Sequence, residues 1–329
     1  MLARFSESSC SSARGPVLLT GAPYSGTTWM GHQLRDACGL SYFQEPWNPQ
    51  SGLVGYDRRF RAHHAYLTDH NAIEHLPELR RLAAMRPRIR WRNLLLDRAM
   101  LAREIREHRQ RRADRQAGRR PLWKDPIALL SSGWIARTFD SPVLLMVRNP
   151  LSFVTSNLGR GGASSRSGLS WLLDDQEFMR VYGEEFRSDL HRIDLASTSP
   201  VERWALAWRL LMSVALRELS PVQPQVVIAR YEDCLERPVE LLARVADLLG
   251  LPVVVDPAAV VSLHRDLHAH GAASGRFDPV RESTRWDELL SSREQSLVRS
   301  IVEPLSSIWY GERASRAIDA ALAWSSRVA

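Results

Sequence analysis

Short apolar runs recur along this chain, each closed by glycine, proline or a charged residue, with longer amphipathic stretches between them. The first, Val17-Leu18-Leu19, ends in a turn over Gly21–Thr28 and predicts a buried strand, a tight turn, and a helix from Trp29 to Leu40. Further short strands are expected at Leu40–Phe43, Pro121–Lys124, Pro142–Val147 and Gln225–Ala229. The run Pro142–Val147 is the clearest, being apolar at every position as a strand buried on both faces requires. Helices are expected over Ile127–Phe139, Leu151–Leu158, Val201–Leu219 and Pro238–Leu249, the last with proline in its first turn and Gly250 past its end. Trp204 and Trp208, on one face of the third, read as core packing. The pattern lapses into a loop from His264 to Thr284 and becomes helical again from Trp286. Strands alternating with helices predict an α/β fold of three layers, with a mainly parallel central sheet and helices on both faces.

Two stretches depart from that alternation. From about residue 52 to 118, Arg, His and Leu dominate, with helical spacing at Leu76, Leu79 and Leu82 and again at Leu94, Leu95, Met100 and Leu101. This predicts a helical insertion or cap, ending in the basic run REIREHRQRRADRQAGRR, a solvated helical face or a docking surface for an acidic ligand. Gly159–Gly168 is glycine- and serine-rich and reads as a surface loop or a lid over a site. Residues 15–329 are expected to form one α/β domain, and the serine-rich residues 1–14 a disordered terminus.

Composition narrows the classes. The 329 residues are 44% hydrophobic and 25% charged, as in globular domains, and carry a formal charge of +7, which favours anionic ligands. Three cysteines without paired spacing give no disulfide framework or zinc site, and together with the absence of an apolar leader point to the cytoplasm. No apolar run is long enough to span a membrane. The basic run lacks aromatic interleaving, so nucleic acid is not an expected partner. His264, His268 and His270 have a loosely metal-like spacing without a fourth ligand, and no metal is expected. His32, on the first helix, reads as a structural histidine, and His63-His64 as a candidate lining of an acceptor pocket.

The turn after the first strand carries the chemistry. A glycine turn opening a helix aims backbone N–H groups and the positive helix end at one point, which suits a phosphate-like anion. Gly21 and Gly26 have the spacing of a Walker A loop, but Thr27 stands where its lysine would be. In open parallel sheets ligands bind beyond the carboxyl ends of the strands, and Lys124-Asp125, Arg148 and Tyr231 follow three other strands. Arg148 and Ser156, on the helix after it, can both reach one phosphate, and Trp29 and Tyr231 offer flat faces to a purine.

These residues resemble the sulfotransferases that use 3′-phosphoadenosine 5′-phosphosulfate (PAPS). Pro23-x-Ser25-Gly26-Thr27-Thr28-Trp29 is similar to their 5′-phosphosulfate loop, and Arg148-Asn-Pro150 through Ser156 to their 3′-phosphate motif. Tyr231-Glu-Asp233 with Pro238 and Leu249-Gly250 resembles the adenine-contacting segment. The resemblance covers about Val17 to Gly250 in separate blocks. It implies a P-loop-like fold binding PAPS and its product adenosine 3′,5′-bisphosphate without metal, through Tyr24, Ser25, Gly26, Thr27, Thr28, Trp29, Arg148, Ser156 and Tyr231. Two departures stand out: Tyr24 occupies a position usually Lys or Arg, and the general-base histidine of the cytosolic members is absent after Lys124. The tail also lacks the family's compact Arg-Lys-Gly signature, leaving Arg276, Arg281 or Arg285 to meet the 3′-phosphate, with Arg281 and Arg285 favoured.

The implied reaction is sulfuryl transfer to a hydroxyl or amine of a small-molecule or glycan acceptor. Lys124, at a strand end where the family often has a lysine, would stabilise the departing phosphate oxygen, and Glu45 is the first choice of base, with Asp125 second. Alternatives are a repurposed, non-catalytic nucleotide-binding domain, to which Tyr24 points, and a P-loop kinase, against which the missing Walker lysine counts.

Overall fold

The computed structural model describes residues 15–48, 66–87, 98–159, 169–271 and 283–311. Outside these residues lie the expected N-terminal tail, His63 and His64, Leu94 and Leu95, most of the Gly159–Gly168 loop, Arg276 and Arg281.

Five strands, β1 (Val17–Gly21), β2 (Ser41–Gln44), β3 (Pro121–Lys124), β4 (Val143–Val147) and β5 (Val226–Arg230), form one sheet in the order β2-β3-β1-β4-β5. Every pairing is parallel. Side chains alternate between the two faces. Leu18, Trp123, Val143, Leu145, Val147 and Ile228 enter one apolar cluster, while Val17, Leu19, Leu122, Leu144, Met146 and Val227 enter the other. Burial on both faces is why β1, β4 and β5 read as mainly apolar runs.

The face carrying Leu18 is covered by α4 (Ser132–Phe139), α5 (Pro150–Leu158), α6 (Gln176–Asp194), α7 (Pro200–Leu219) and a later helix, α12 (Ser292–Val302). The face carrying Leu19 is covered by α1 (Thr27–Cys38), α9 (Pro238–Leu248) and α10 (Pro257–Gly271). A short α8 (Tyr231–Glu236) follows β5 directly, and α11 (Trp286–Leu289) and α13 (Ser307–Tyr310) complete the tail. Trp208 of α7 is fully buried, as its core reading requires.

Within the insertion, α2 (Leu76–Ala83) buries Leu79 and Leu82, at the spacing that predicted it. The basic run forms most of α3 (Arg98–Gln116). It docks on the sheet edge through Asp114, which accepts a 2.7 Å hydrogen bond from Ser41 Oγ, and through Arg111, which lies 5.1 Å over the Phe43 ring. Arg106, Arg109, Arg112 and Arg119 remain exposed.

The first part of the loop expected from His264 to Thr284 is helical. α10 runs through His264 to Gly271, where the sequence pattern lapses. Its buried face is Val260, Val261 and His264, and the imidazole is held 2.8 Å from Asp36 Oδ2 on α1. A histidine with a carboxylate partner completes an apolar face that hydrophobic periodicity alone reads as broken.

The strand order sets where a site can form. β1 and β4 are neighbours, yet the chain leaves β1 into α1 on one face and β4 into α5 on the other. Adjacent strands whose connections part to opposite faces leave a crevice at their carboxyl ends, the switch point of an open α/β sheet.

Candidate active site

Gly21–Thr28 and Arg148 both open onto that crevice. The turn hands β1 to α1 through Tyr24 and Gly26, both in the left-handed region, with φ of 65° and 81°. No side chain caps the N-terminus of α1, so its first-turn N–H groups are presented by the turn itself. Ser25 is fully buried and its Oγ has no hydrogen-bond partner. A buried hydroxyl beside an uncapped helix N-terminus fits an anion such as the 5′-phosphate of a nucleotide. Thr27 is buried, Thr28 is exposed, and Trp29 is partly buried against the α1 side of the core.

The crevice joins this turn to the ends of β4 and β5. Arg148, only 5% exposed, donates from Nη1 to the Tyr24 carbonyl at 2.7 Å. Its guanidinium lies 4.2 Å over the Tyr231 ring, a cation–π contact. Tyr231 in turn packs on the turn: a Cβ added at Gly26 would lie 2.6 Å from its Cδ2. Tyr24 is thus met through its main chain by an arginine from the end of the neighbouring strand. Sequence order gave no sign of this contact, because it runs to a backbone carbonyl.

Arg148 is held from behind. Its carbonyl accepts from Trp208 Nε1 at 3.0 Å, and Asn149 caps α5 by accepting from the Leu151 N–H at 2.9 Å. An asparagine before a proline is a readable helix start, and Asn149 could have been singled out on that signal. Ser156 is partly buried on the same helix, one turn after Ser152, whose Oγ donates to the Ser283 carbonyl at 3.0 Å. That bond anchors the segment leading to Arg285, which is exposed at the start of α11.

Lys124 and Glu45 meet at the ends of β3 and β2. Lys124 Nζ is 2.7 Å from Glu45 Oε1, and Asn48 Nδ2 donates to Glu45 Oε2 at 2.9 Å. Lys124 is 2% exposed, so the ammonium sits inside the protein while the carboxylate keeps an open side. Glu45 takes a φ of 46°, in the left-handed region that a non-glycine residue enters at a cost of about 1–2 kcal/mol. Tyr24 and Glu45, two of the four such residues among those described, therefore stand at the ends of β1 and β2.

Asp125 has a different setting. Its Oδ2 accepts from the Trp47 N–H at 2.6 Å and its Oδ1 from the Ile127 N–H at 2.9 Å, so both oxygens hold backbone. Burial raises its carboxyl to about 7, against the pull of those two N–H groups. Its geometry is that of a carboxyl fixing the 45–48 turn beside Glu45. His32 lies on α1, edge-on to Tyr42 and stacked on His264, and burial lowers it. Among the described residues no group of three or more His, Cys, Asp or Glu could hold a metal, and no helix is long and apolar enough to cross a membrane.

Comparison with known proteins gives the family. A family model described as "Sulfotransferase family" matches residues 16–256, well over half of the chain. No curated protein matches it. Among solved structures, it is similar to the sulfotransferase domain from the curacin biosynthetic pathway, at 15% identity and a TM-score of 0.48, over 89% of this chain and 98% of that one. It is also similar to the sulfotransferase domain of the olefin synthase of Synechococcus PCC 7002, at 15% identity and a TM-score of 0.45, over 89% of this chain and 95% of that one. The sulfotransferase STF9 of Mycobacterium avium matches at 14% identity and a TM-score of 0.39, over 86% of this chain and 75% of that one. These scores are low, and it is on the matched family model that this chain belongs to the sulfotransferase family, whose chemistry is transfer of a sulfuryl group.

Proposed function

We propose that this protein transfers a sulfuryl group from PAPS to a hydroxyl or amine of a small-molecule or glycan acceptor, in the cytoplasm. The observation that carries the reading is Arg148, which ties the anion turn at Tyr24 to the aromatic face of Tyr231 across the switch point. One cation between a phosphate cradle and a purine platform suits a nucleotide with phosphates at both ends of its ribose.

PAPS would supply an activated sulfuryl group whose leaving oxygen belongs to a phosphate. The N–H groups and hydroxyls of Ser25, Gly26, Thr27 and Thr28 hold the 5′-phosphate, and Arg148 with Ser156 holds the 3′-phosphate. Trp29 and Tyr231 flank the base. Transfer forms a bond from the acceptor oxygen or nitrogen to sulfur and breaks the bond from sulfur to the bridging oxygen. Lys124 donates to that oxygen as charge grows there, and such a donor is worth about 10²–10³ in rate. Glu45 takes the acceptor proton; its contacts with Lys124 and Asn48 hold the carboxylate in place. Arg285, exposed just after the Ser283 that Ser152 anchors, would meet the 3′-phosphate, with Arg281, outside the described residues, as the alternative.

The test is incubation with PAPS labelled in its sulfuryl group and a panel of hydroxyl and amine compounds. Label moving to an acceptor with wild-type protein, and not with Glu45→Gln, supports the reading. Tight binding of the donor with no transfer to any acceptor class would instead favour the repurposed nucleotide-binding domain that Tyr24 suggests.

A further inference from the structure

We infer that Glu232, Trp309 and Tyr310 form a clasp that positions Arg148 for the 3′-phosphate; this rests on the nucleotide reading above. The clasp closes on a single peptide unit, Arg148–Asn149. The oxygen of that peptide accepts from Trp208 Nε1 at 3.0 Å, and its N–H donates to Glu232 Oε1 at 3.1 Å. A peptide is planar, so holding it at both ends fixes its orientation and the direction in which the Arg148 side chain departs.

Each holder leans on α13. Trp208 packs edge-on against Trp309, which is 2% exposed, with ring centroids 6.3 Å apart. Glu232 Oε2 accepts from the Tyr310 hydroxyl at 2.9 Å. The main chain of α13 is tied down as well, since Arg230 Nη1 donates to the Trp309 carbonyl at 3.4 Å while Asp233 grips the same guanidinium at 2.7 and 2.8 Å. The ends of β4 and β5 are thereby locked to a helix beyond residue 256, where the family match ends.

The arrangement does more than fill space. Burial pushes the Glu232 carboxyl upward, and the Asn149 N–H, the Tyr310 hydroxyl and the nearby Arg148 charge draw it back down. A guanidinium fork rewards such fixing, because its paired N–H groups reach a phosphate only from a narrow range of directions. These are positioning residues, acting through Arg148.

The experiment compares adenosine 3′,5′-bisphosphate with adenosine 5′-phosphate by calorimetry on Tyr310→Phe, which keeps the ring and removes the hydroxyl. Bisphosphate affinity should fall about three- to tenfold, as for loss of one hydrogen bond, with 5′-phosphate affinity unchanged. In an Arg148→Ala background the same substitution should alter neither, since its effect passes through that arginine. Equal losses for the two nucleotides, or a loss that persists without Arg148, would show a merely structural clasp and overturn the inference. Glu232→Gln, which keeps the side-chain volume, should repeat the selective loss if Tyr310→Phe melts below the assay temperature, and undiminished selectivity there also overturns it. Wild-type protein that binds neither nucleotide overturns the nucleotide reading itself, whereas wild-type binding with an unaffected Tyr310→Phe overturns the clasp alone.

Discussion

Gly26→Ala tests whether the anion turn and the Arg148–Tyr231 pair are one unit. Gly26 sits at φ 81°, where an alanine costs about 1–2 kcal/mol in backbone strain. The added Cβ would also lie 2.6 Å from Tyr231 Cδ2, closer than real Cβ contacts allow, and 3.2 Å from Cε2, a tight contact. The ring cannot yield alone, because the Arg148 guanidinium rests on it at 4.2 Å. Overpacking of this kind adds about 1–3 kcal/mol, for a total near 2–5 kcal/mol. Gly118→Ala is the control: its φ is 66°, but nothing lies within 4 Å of the added Cβ. It should lose only the backbone part. Urea unfolding measures both costs, and calorimetry with adenosine 3′,5′-bisphosphate measures binding. The expected result is a larger loss of stability at Gly26, with binding lost there and kept at Gly118. Equal stability losses for the two variants, or full affinity in Gly26→Ala, would refute the coupling of turn and ring.

Arg148→Ala should weaken adenosine 3′,5′-bisphosphate far more than adenosine 5′-phosphate, and equal losses would mean that Arg148 does not hold the 3′-phosphate. Glu45→Gln should leave nucleotide affinity intact and lower transfer about 10²–10⁴-fold, read from initial rates with labelled donor; surviving activity would move the base elsewhere. Asp125 titrates near about 7 in the folded protein against 3.8 for the free group, so between those values the native state holds a proton that the unfolded chain has released. Its contribution to stability therefore falls as pH rises through that window, and the lead of wild type over Asp125→Asn in urea melts should shrink from pH 5 to pH 7. A constant gap would contradict the raised value.

The sheet was legible because β1, β3, β4 and β5 are buried at every position, so runs such as Val143–Val147 have no polar alternation to hide them. The turn was legible because its glycines and hydroxyls are themselves the chemistry. Helix starts were less so: α1 begins at Thr27, two residues before the expected Trp29, because its first turn is polar and faces the crevice. α10 was missed at His264, where a histidine held by the Asp36 carboxylate stands in an apolar face. At the site, Lys124 and Glu45 were both readable as candidates, but their 2.7 Å pairing depends on β2 and β3 being neighbours, which spacing alone does not state. The contacts around Arg148 were hidden for a related reason. Tyr24 offers a carbonyl, Asn149 an N–H, and Tyr310 lies far along the chain, so side-chain identity at those positions carries little trace of the contact.

The most direct test of the central claim is calorimetric titration of the wild-type protein with adenosine 3′,5′-bisphosphate, adenosine 5′-phosphate and ATP with Mg²⁺. A site built from the Ser25–Thr28 cradle and Arg148 predicts that the bisphosphate binds tightest, that removing its 3′-phosphate weakens it, and that Mg²⁺ adds nothing. Preference for ATP with Mg²⁺, or no binding of the bisphosphate, would contradict it.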